Sequence, residues 1–430
     1  MRLRTPVLVL LTFVVLAFAT ATASAPRAAA APGVRFGLTD DAWLQDGPGA
    51  LTQRVATLSS LGVKIVRYTL NWNQIAPTRP TNAADPADPV YDWSDADAVI
   101  NALRARGITV LLQLLGTPSW ANGGKPSNYA PTSGSSFAAF AKAAAQRYPW
   151  VTHWLIWDEP NQTRWLRPTS AATYTTRLLN PAYTAIHSVI RSAQVGGAVT
   201  APRGSTGGVS PVAWLTAMHK SHAKLDAYAY NPYPLNPKRE TPLSGGCTTC
   251  STITMSAISH LTKLVAADFG KARIWLTEYG YQTNPPDPIL GVSQLLQARY
   301  IGEAAYQAYR SSRVDMLIQY LYRDEPNVSR FQSGLVTVNN APKLAFAAFQ
   351  LPLAQIARKG TTVTLWGQLR APGAGATAHV QKRVGSRWVA VLTARASASG
   401  YWTARARLAP STWVRVVSGK LIGSELLLHP

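Results

Sequence analysis

From residue 34 to about residue 350 the sequence repeats one order eight times: a short run of β-branched and aromatic residues, a loop, then an Ala- and Leu-rich stretch. The strand-like runs are VRFGLTD (34–40), KIVRYTL (64–70), ITVLLQLLG (108–116), THWLIW (152–157), QVGGAVTA (194–201), LDAYAYNPY (225–233), RIWLTEYG (273–280) and DMLIQYLY (315–322). Helical candidates between them include DADAVINALRARG, SSFAAFAKAAAQRY, NPAYTAIHSVIRSAQ and VSQLLQARYIGEAAYQAY, with apolar residues recurring near i, i+3, i+4 and i+7. Gly62 and Gly107 stand where C-caps belong, each just before a strand. Eight alternations over this length predict an α/β fold, a (β/α)8 TIM barrel spanning residues 32–350. A doubly wound sheet also alternates strand and helix, so the alternation alone leaves that fold open.

After about Phe349 the pattern changes. TVTLWGQLR sets Val363, Leu365 and Leu369 on one side, and YWTARARL sets Trp402, Ala404, Ala406 and Leu408 opposite Tyr401, Thr403, Arg405 and Arg407. Period two, punctuated by Gly, Pro and Ser, predicts a C-terminal antiparallel β-sandwich over residues 351–430. At the other end, Met1-Arg2-Leu3-Arg4, an apolar run from Val7 to Ala19 and small residues through Ala31 read as a secretory signal peptide, residues 1–31, cleaved between Ala23 and Ala31. The expectation is a secreted or extracellular protein with no membrane span after cleavage. Export permits a disulfide, and Cys247 and Cys250, the only cysteines, are expected to form a local staple in the loop SGGCTTCST. A zinc site would need two further N or S ligands, and the histidines supply no such pattern, so no metal or cofactor is expected. The net charge of +22 implies attraction to polyanions. Eleven basic residues and no acid lie between Arg358 and Lys420, which makes an anionic cell-envelope surface a partner to consider. Nucleic acid is not expected, since no recognition motif is present.

Only six glutamates occur: Glu159, Glu240, Glu278, Glu303, Glu325 and Glu425. On a barrel, residues at the C-terminal tips of strands build the active site. Glu159 follows the fourth strand in HWLIWDEPNQ and Glu278 ends the seventh in RIWLTEYG, so both are placed at the mouth. Two carboxylates opposed across a cleft suit glycoside hydrolysis, one as acid and one as nucleophile or base.

IWDEPN together with WLTEYG resembles the clan A glycoside hydrolases, similar in motif style to families 39 and 5, and the likeness extends to GVKIVRYTLNWNQIAP, GTPSWA, NPYP and GLVTVNNAPKLAFAAF. The resemblance implies a retaining glycosidase acting on an oligo- or polysaccharide. Glu159 would be the acid/base, Glu278 the nucleophile, Arg67 the arginine holding the nucleophile ionised, and Tyr233 a hydroxyl donor to it. Trp72, Trp120, Trp165 and Tyr320 would be sugar-stacking rings. Two positions depart from the clan pattern. Asp158 stands where asparagine is usual, and its charge is expected to raise the pKa of Glu159. Asn231 stands where many relatives carry histidine. These departures keep open a non-catalytic carbohydrate-binding or envelope-associated protein on a degenerate barrel.

Overall fold

The structure, a computed structural model, describes residues 33–430. The proposed signal peptide lies outside the described residues. Eight parallel strands close a barrel: β1 (Arg35–Thr39), β2 (Ile65–Asn71), β3 (Thr109–Leu115), β4 (His153–Ile156), β5 (Gln194–Thr200), β6 (Ala227–Tyr230), β7 (Arg273–Tyr279) and β8 (Val314–Tyr320). Each strand pairs with its sequence neighbours, and β8 returns to β1 in the register Arg35↔Met316 through Thr39↔Tyr320. That closing pair excludes the doubly wound sheet. The strands read as near-continuous apolar runs because both faces are covered, one by helices and one by the barrel interior.

The interior is packed with Ile65, Leu111, Leu155, Val199, Ala227, Ala229, Trp275, Met316 and Ile318. Trp275 fits there because Gly196 on β5 has no side chain: a Cβ at that position would sit 2.6 Å from the indole. Both glycine stops take left-handed backbone, with φ of 79° at Gly62 and 65° at Gly107. The helices Ser94–Ala105, Gly134–Arg147, Asn180–Val189 and Gln294–Tyr309 coincide with the four periodic stretches. No helix among the described residues is long and apolar enough to cross a membrane.

The last barrel helix ends at Gln350 and the sandwich begins at Leu353. Its strands are β9 (Leu353–Lys359), β10 (Thr362–Gln368), β11 (Thr377–Val384), β12 (Arg387–Arg395), β13 (Tyr401–Arg407), β14 (Trp413–Ser418), β15 (Leu421–Ile422) and β16 (Leu426–Leu427). One sheet has the order β13-β10-β9. The other runs β12-β11-β14-β15, with β16 also paired to β14. Val363, Leu365, Val380, Trp402, Val414 and Val416 fill the space between them. Tyr401 departs from the two-sided pattern: it is buried, although it alternates with Trp402. The smaller sheet lies against the barrel, so Tyr401 and Trp366 pack on Tyr309 of the helix Gln294–Tyr309, with ring centroids 4.6 and 5.3 Å away. Arg370 joins the same contact, its guanidinium 4.0 Å from the Phe36 ring and 4.5 Å from that of Phe349. Barrel and sandwich therefore make one compact unit.

Candidate active site

The polar residues of the barrel collect at the C-terminal ends of the strands. Arg67 and Thr69 point inward from β2, since they alternate with Val66, Tyr68 and Leu70, and Gln113 does the same on β3. The Gln113 side chain joins them. Its Oε1 accepts from Arg67 Nε at 3.1 Å and Thr69 Oγ1 at 2.9 Å, and its Nε2 donates to the Trp157 carbonyl at 2.7 Å.

Strict alternation fails where the two key carboxylates stand. On β7, Trp275 pairs with Met316 and Leu276 with Leu317, but Tyr279 is next in register with Gln319. Two residues, Thr277 and Glu278, thus face the single position of Ile318, a bulge that turns Glu278 into the mouth. Beyond β4, Trp157 and Glu159 have φ of 69° and 33°, left-handed values that non-glycine residues seldom adopt. This turn sends the Trp157 ring out against Phe137 and leaves Asp158 and Glu159 in the cleft. Strained backbone of this kind is held only where surrounding structure over-determines it. Here the Trp157 Nε1 bond to the Trp165 carbonyl and the Gln113 bond to Trp157 supply that hold.

Glu159 and Glu278 line one cleft of about 620 Å³ together with Arg67, Asp158, Tyr233, Trp165 and Tyr320. Arg67 Nη2 lies 2.7 Å from Glu278 Oε1 and 3.7 Å from Asp158 Oδ2, and its Nη1 donates to the Thr277 carbonyl at 3.1 Å. Tyr233 donates its hydroxyl proton to Glu278 Oε2 at 3.1 Å. Asn231 spans the two sides: its Nδ2 donates to Glu159 Oε1 at 3.3 Å, and its Oδ1 accepts from the Thr277 hydroxyl at 2.8 Å. Asp158 Oδ1 is buried with no hydrogen-bond partner.

Several acids therefore share one buried arginine, and their proton affinities rise. Burial first, then the charges of Asp158 and Glu278, push Glu159 up to about 8. Burial is the larger cause at Glu278 and raises it to about 7, while Arg67 favours its ionised form, the direction expected. Asp158 is likewise raised, burial opposing the pull of Arg67. The sequence-based expectation that Asp158 lifts Glu159 agrees in direction, although burial is the larger cause. Burial and mutual repulsion let the pair keep one proton between them well above the usual carboxylate range. One group is thereby suited to donate a proton and the other to attack.

Two of the ring candidates lie elsewhere. Trp72 is fully buried between Phe137, Phe140 and Trp120. Trp120 meets Trp72 edge-on and donates its Nε1 to the Ala76 carbonyl, and neither ring lines the cleft. The other glutamates separate clearly. Glu240 accepts from the backbone of Leu235 and Asn236, Glu303 pairs with Arg299, Glu425 pairs with Arg383, and Glu325 stands at the cleft rim. Cys247 and Cys250 are joined by a disulfide. Sequence reasoning missed Gln113, whose signal is a lone polar residue inside LLQLL. It also missed Asp40 and Asp41 at the cleft floor. Asp40 accepts from the backbone of Trp43, Tyr322 and Arg323, and burial pushes it up to about 6.

Residues 28–306 match the model of the cellulase family, glycosyl hydrolase family 5. A bifunctional glucanase-xylanase from a metagenome library superposes with a TM-score of 0.53 at 11% identity, covering 90% of this chain and 96% of that one. An exo-β-1,4-mannosidase from an Opitutaceae bacterium gives 0.50 at 18% identity, covering 75% of this chain and 59% of its own. The chain spans 45% of the length of a β-glucuronidase from Bacteroides uniformis, which it also matches. At these identities the likeness bears on the fold alone. Comparison with curated protein sequences found no match.

Proposed function

Because the chain belongs to the cellulase family of glycoside hydrolases, glycosyl hydrolase family 5, we propose that it cleaves glycosidic bonds by double displacement, with Glu159 as acid/base and Glu278 as nucleophile. Glu159 gives its proton to the glycosidic oxygen as the C–O bond breaks, and a Glu278 oxygen bonds to the anomeric carbon, forming a glycosyl ester. Water then attacks that carbon, passes a proton to Glu159 and releases Glu278, so configuration is retained. Arg67 and Tyr233 orient the Glu278 carboxylate through its two oxygens. Asp158, Trp165 and Tyr320 line the same cleft, where the two rings offer faces to a sugar.

The observation that carries this reading is the shared cleft, in which Arg67 contacts Glu278 and Asn231 links the Glu278 side to Glu159. The test is trapping with activated 2-deoxy-2-fluoro glycosides of glucose, mannose and xylose, followed by peptide mapping. Expected is time-dependent inactivation with one fluoro-sugar on the peptide containing Glu278. A label on another residue, or saturable sugar binding without turnover of any activated glycoside, overturns the proposal. We also read residues 1–31 as an export signal. N-terminal sequencing of protein recovered outside the cell should begin between residues 24 and 32, and a mature chain that begins at Met1 contradicts it.

A further inference from the structure

The outward face of the larger sandwich sheet carries a ladder of aromatic and cationic side chains that the barrel chemistry does not use. In the register of this sheet Arg383 pairs with Trp388 on β12, and Lys382 pairs with Val414 on β14, which puts Arg383 beside Trp413. Gln381 pairs with Arg415 in the next row. Directly paired residues share a face. Trp388, Arg383 and Trp413 therefore form one row across three strands, with Gln381 and Arg415 beneath them. The alternate residues Val380, Val414 and Val416 are fully buried in the core, which fixes this face as the outer one.

The Arg415 guanidinium lies 4.3 Å from the Trp388 ring centroid, held there by its Nε bond to Gln381 at 2.9 Å. Arg383 lies 5.0 Å from the Trp413 ring. The two indoles are separated by one intervening strand, so they stand two interstrand spacings apart, about 10 Å. Both are half-buried, and Arg383 is exposed. Among the described residues the sole acidic contact in this patch is Glu425 at 3.4 Å from Arg383, a partly exposed pair of little energetic weight.

We propose that this face is an accessory binding platform for an acidic polysaccharide, one bearing carboxylates on its pyranose rings. Indole faces take up the apolar C–H faces of the sugars, and guanidinium groups already aligned by those indoles meet the carboxylates in two-pronged hydrogen bonds. Charge complementarity selects this occupant over a neutral glycan, since Arg383 and Arg415 both stand beside the indoles on this face. The choice of a glycan rests on the glycoside hydrolase reading. Binding and turnover are measured separately, so either can fail alone.

The test is affinity electrophoresis of the full chain through gels containing polygalacturonate, a neutral glucan or double-stranded DNA. A strongly basic protein is retarded by any polyanion, so the decisive comparison is between charge-matched variants. Arg383→Gln/Arg415→Gln and Trp388→Ala/Trp413→Ala should each weaken retention by polygalacturonate by about tenfold in Kd, roughly 1.4 kcal/mol. Arg405→Gln/Arg407→Gln, which removes the same two charges from β13 on the other sheet, should leave it within twofold. Circular dichroism confirms that each variant folds, and Trp388→Phe/Trp413→Phe, which keeps the ring faces, should restore most of the retention. Equal loss in both arginine pairs, no loss in the tryptophan pair, equal retention by the neutral glucan, or the same variant ranking on DNA overturns the proposal. Turnover of an activated aryl glycoside by the parent chain reports independently on the barrel.

Discussion

Asp158 brings a buried charge close to both proposed reacting carboxylates and raises the proton affinity of each. Activity by the proposed route needs Glu159 protonated and Glu278 ionised. The pH profile of kcat/KM should therefore fall on the acidic side as the pair takes up a proton near 7, and on the alkaline side as it loses one near 8. Asp158→Asn removes the repulsion, and both limbs should move to lower pH with the activity kept or raised; a profile that stays in place would show that the two sites do not communicate. Glu159→Gln should lower turnover of a substrate with a poor leaving group by about 100- to 10,000-fold. The same change should stabilise the fold. A carboxyl whose folded pKa is raised to about 8 contributes stability below its ordinary value near 4.5, and that contribution is lost as pH rises through 8. The Tm advantage of Glu159→Gln over the parent should thus be near zero at pH 4 and widen toward pH 8.5, which thermal unfolding at several pH values measures. Much of this residue set was readable in the sequence, because WDEPN and LTEYG put rare acids at strand tips. The aromatic set was less readable: a tryptophan after a strand has the same one-dimensional appearance whether it faces a cleft or, like Trp72, a cluster of phenylalanines.

All eight barrel strands were visible as apolar runs, since a strand buried on both faces needs little polar residue except at its end. What periodicity does not show is where it breaks. The extra residue in β7 and the left-handed turn at Trp157 and Glu159 both override alternation, and both arise from tertiary contacts rather than local propensity. Helix packing holds a similar hidden constraint. Gly302 lies within the helix Gln294–Tyr309, where alanine would normally be favoured by about 1 kcal/mol. Its Cβ would stand 2.1 Å from the Leu353 carbonyl oxygen, backbone that cannot swing aside. Gly302→Ala should therefore lower Tm despite the gain in helix propensity. A rise in Tm would mean that β9 does not press on that helix as closely as described.

Across the whole molecule the sandwich is bonded to the barrel by apolar contact rather than hung from it by a linker. Trp366 and Tyr401 pack against Tyr306 and Tyr309, and Arg370 is set between Phe36 and Phe349. Removing residues 353–430 would uncover these rings together, an apolar patch of the kind that drives association. The truncated barrel is expected in the insoluble fraction, or in solution only as aggregates by gel filtration; a soluble monomer with the parent's Tm would contradict this. The pairing of β1 has one further consequence. Its partner on one side is β8, and the arginine resting on Phe36 comes later still. A nascent chain leaving the ribosome must hold an open hydrogen-bonding edge on β1 until the segment Val314–Tyr320 has emerged, so ring closure waits on the last of the eight barrel strands and the interval before it is when a chaperone has most to protect.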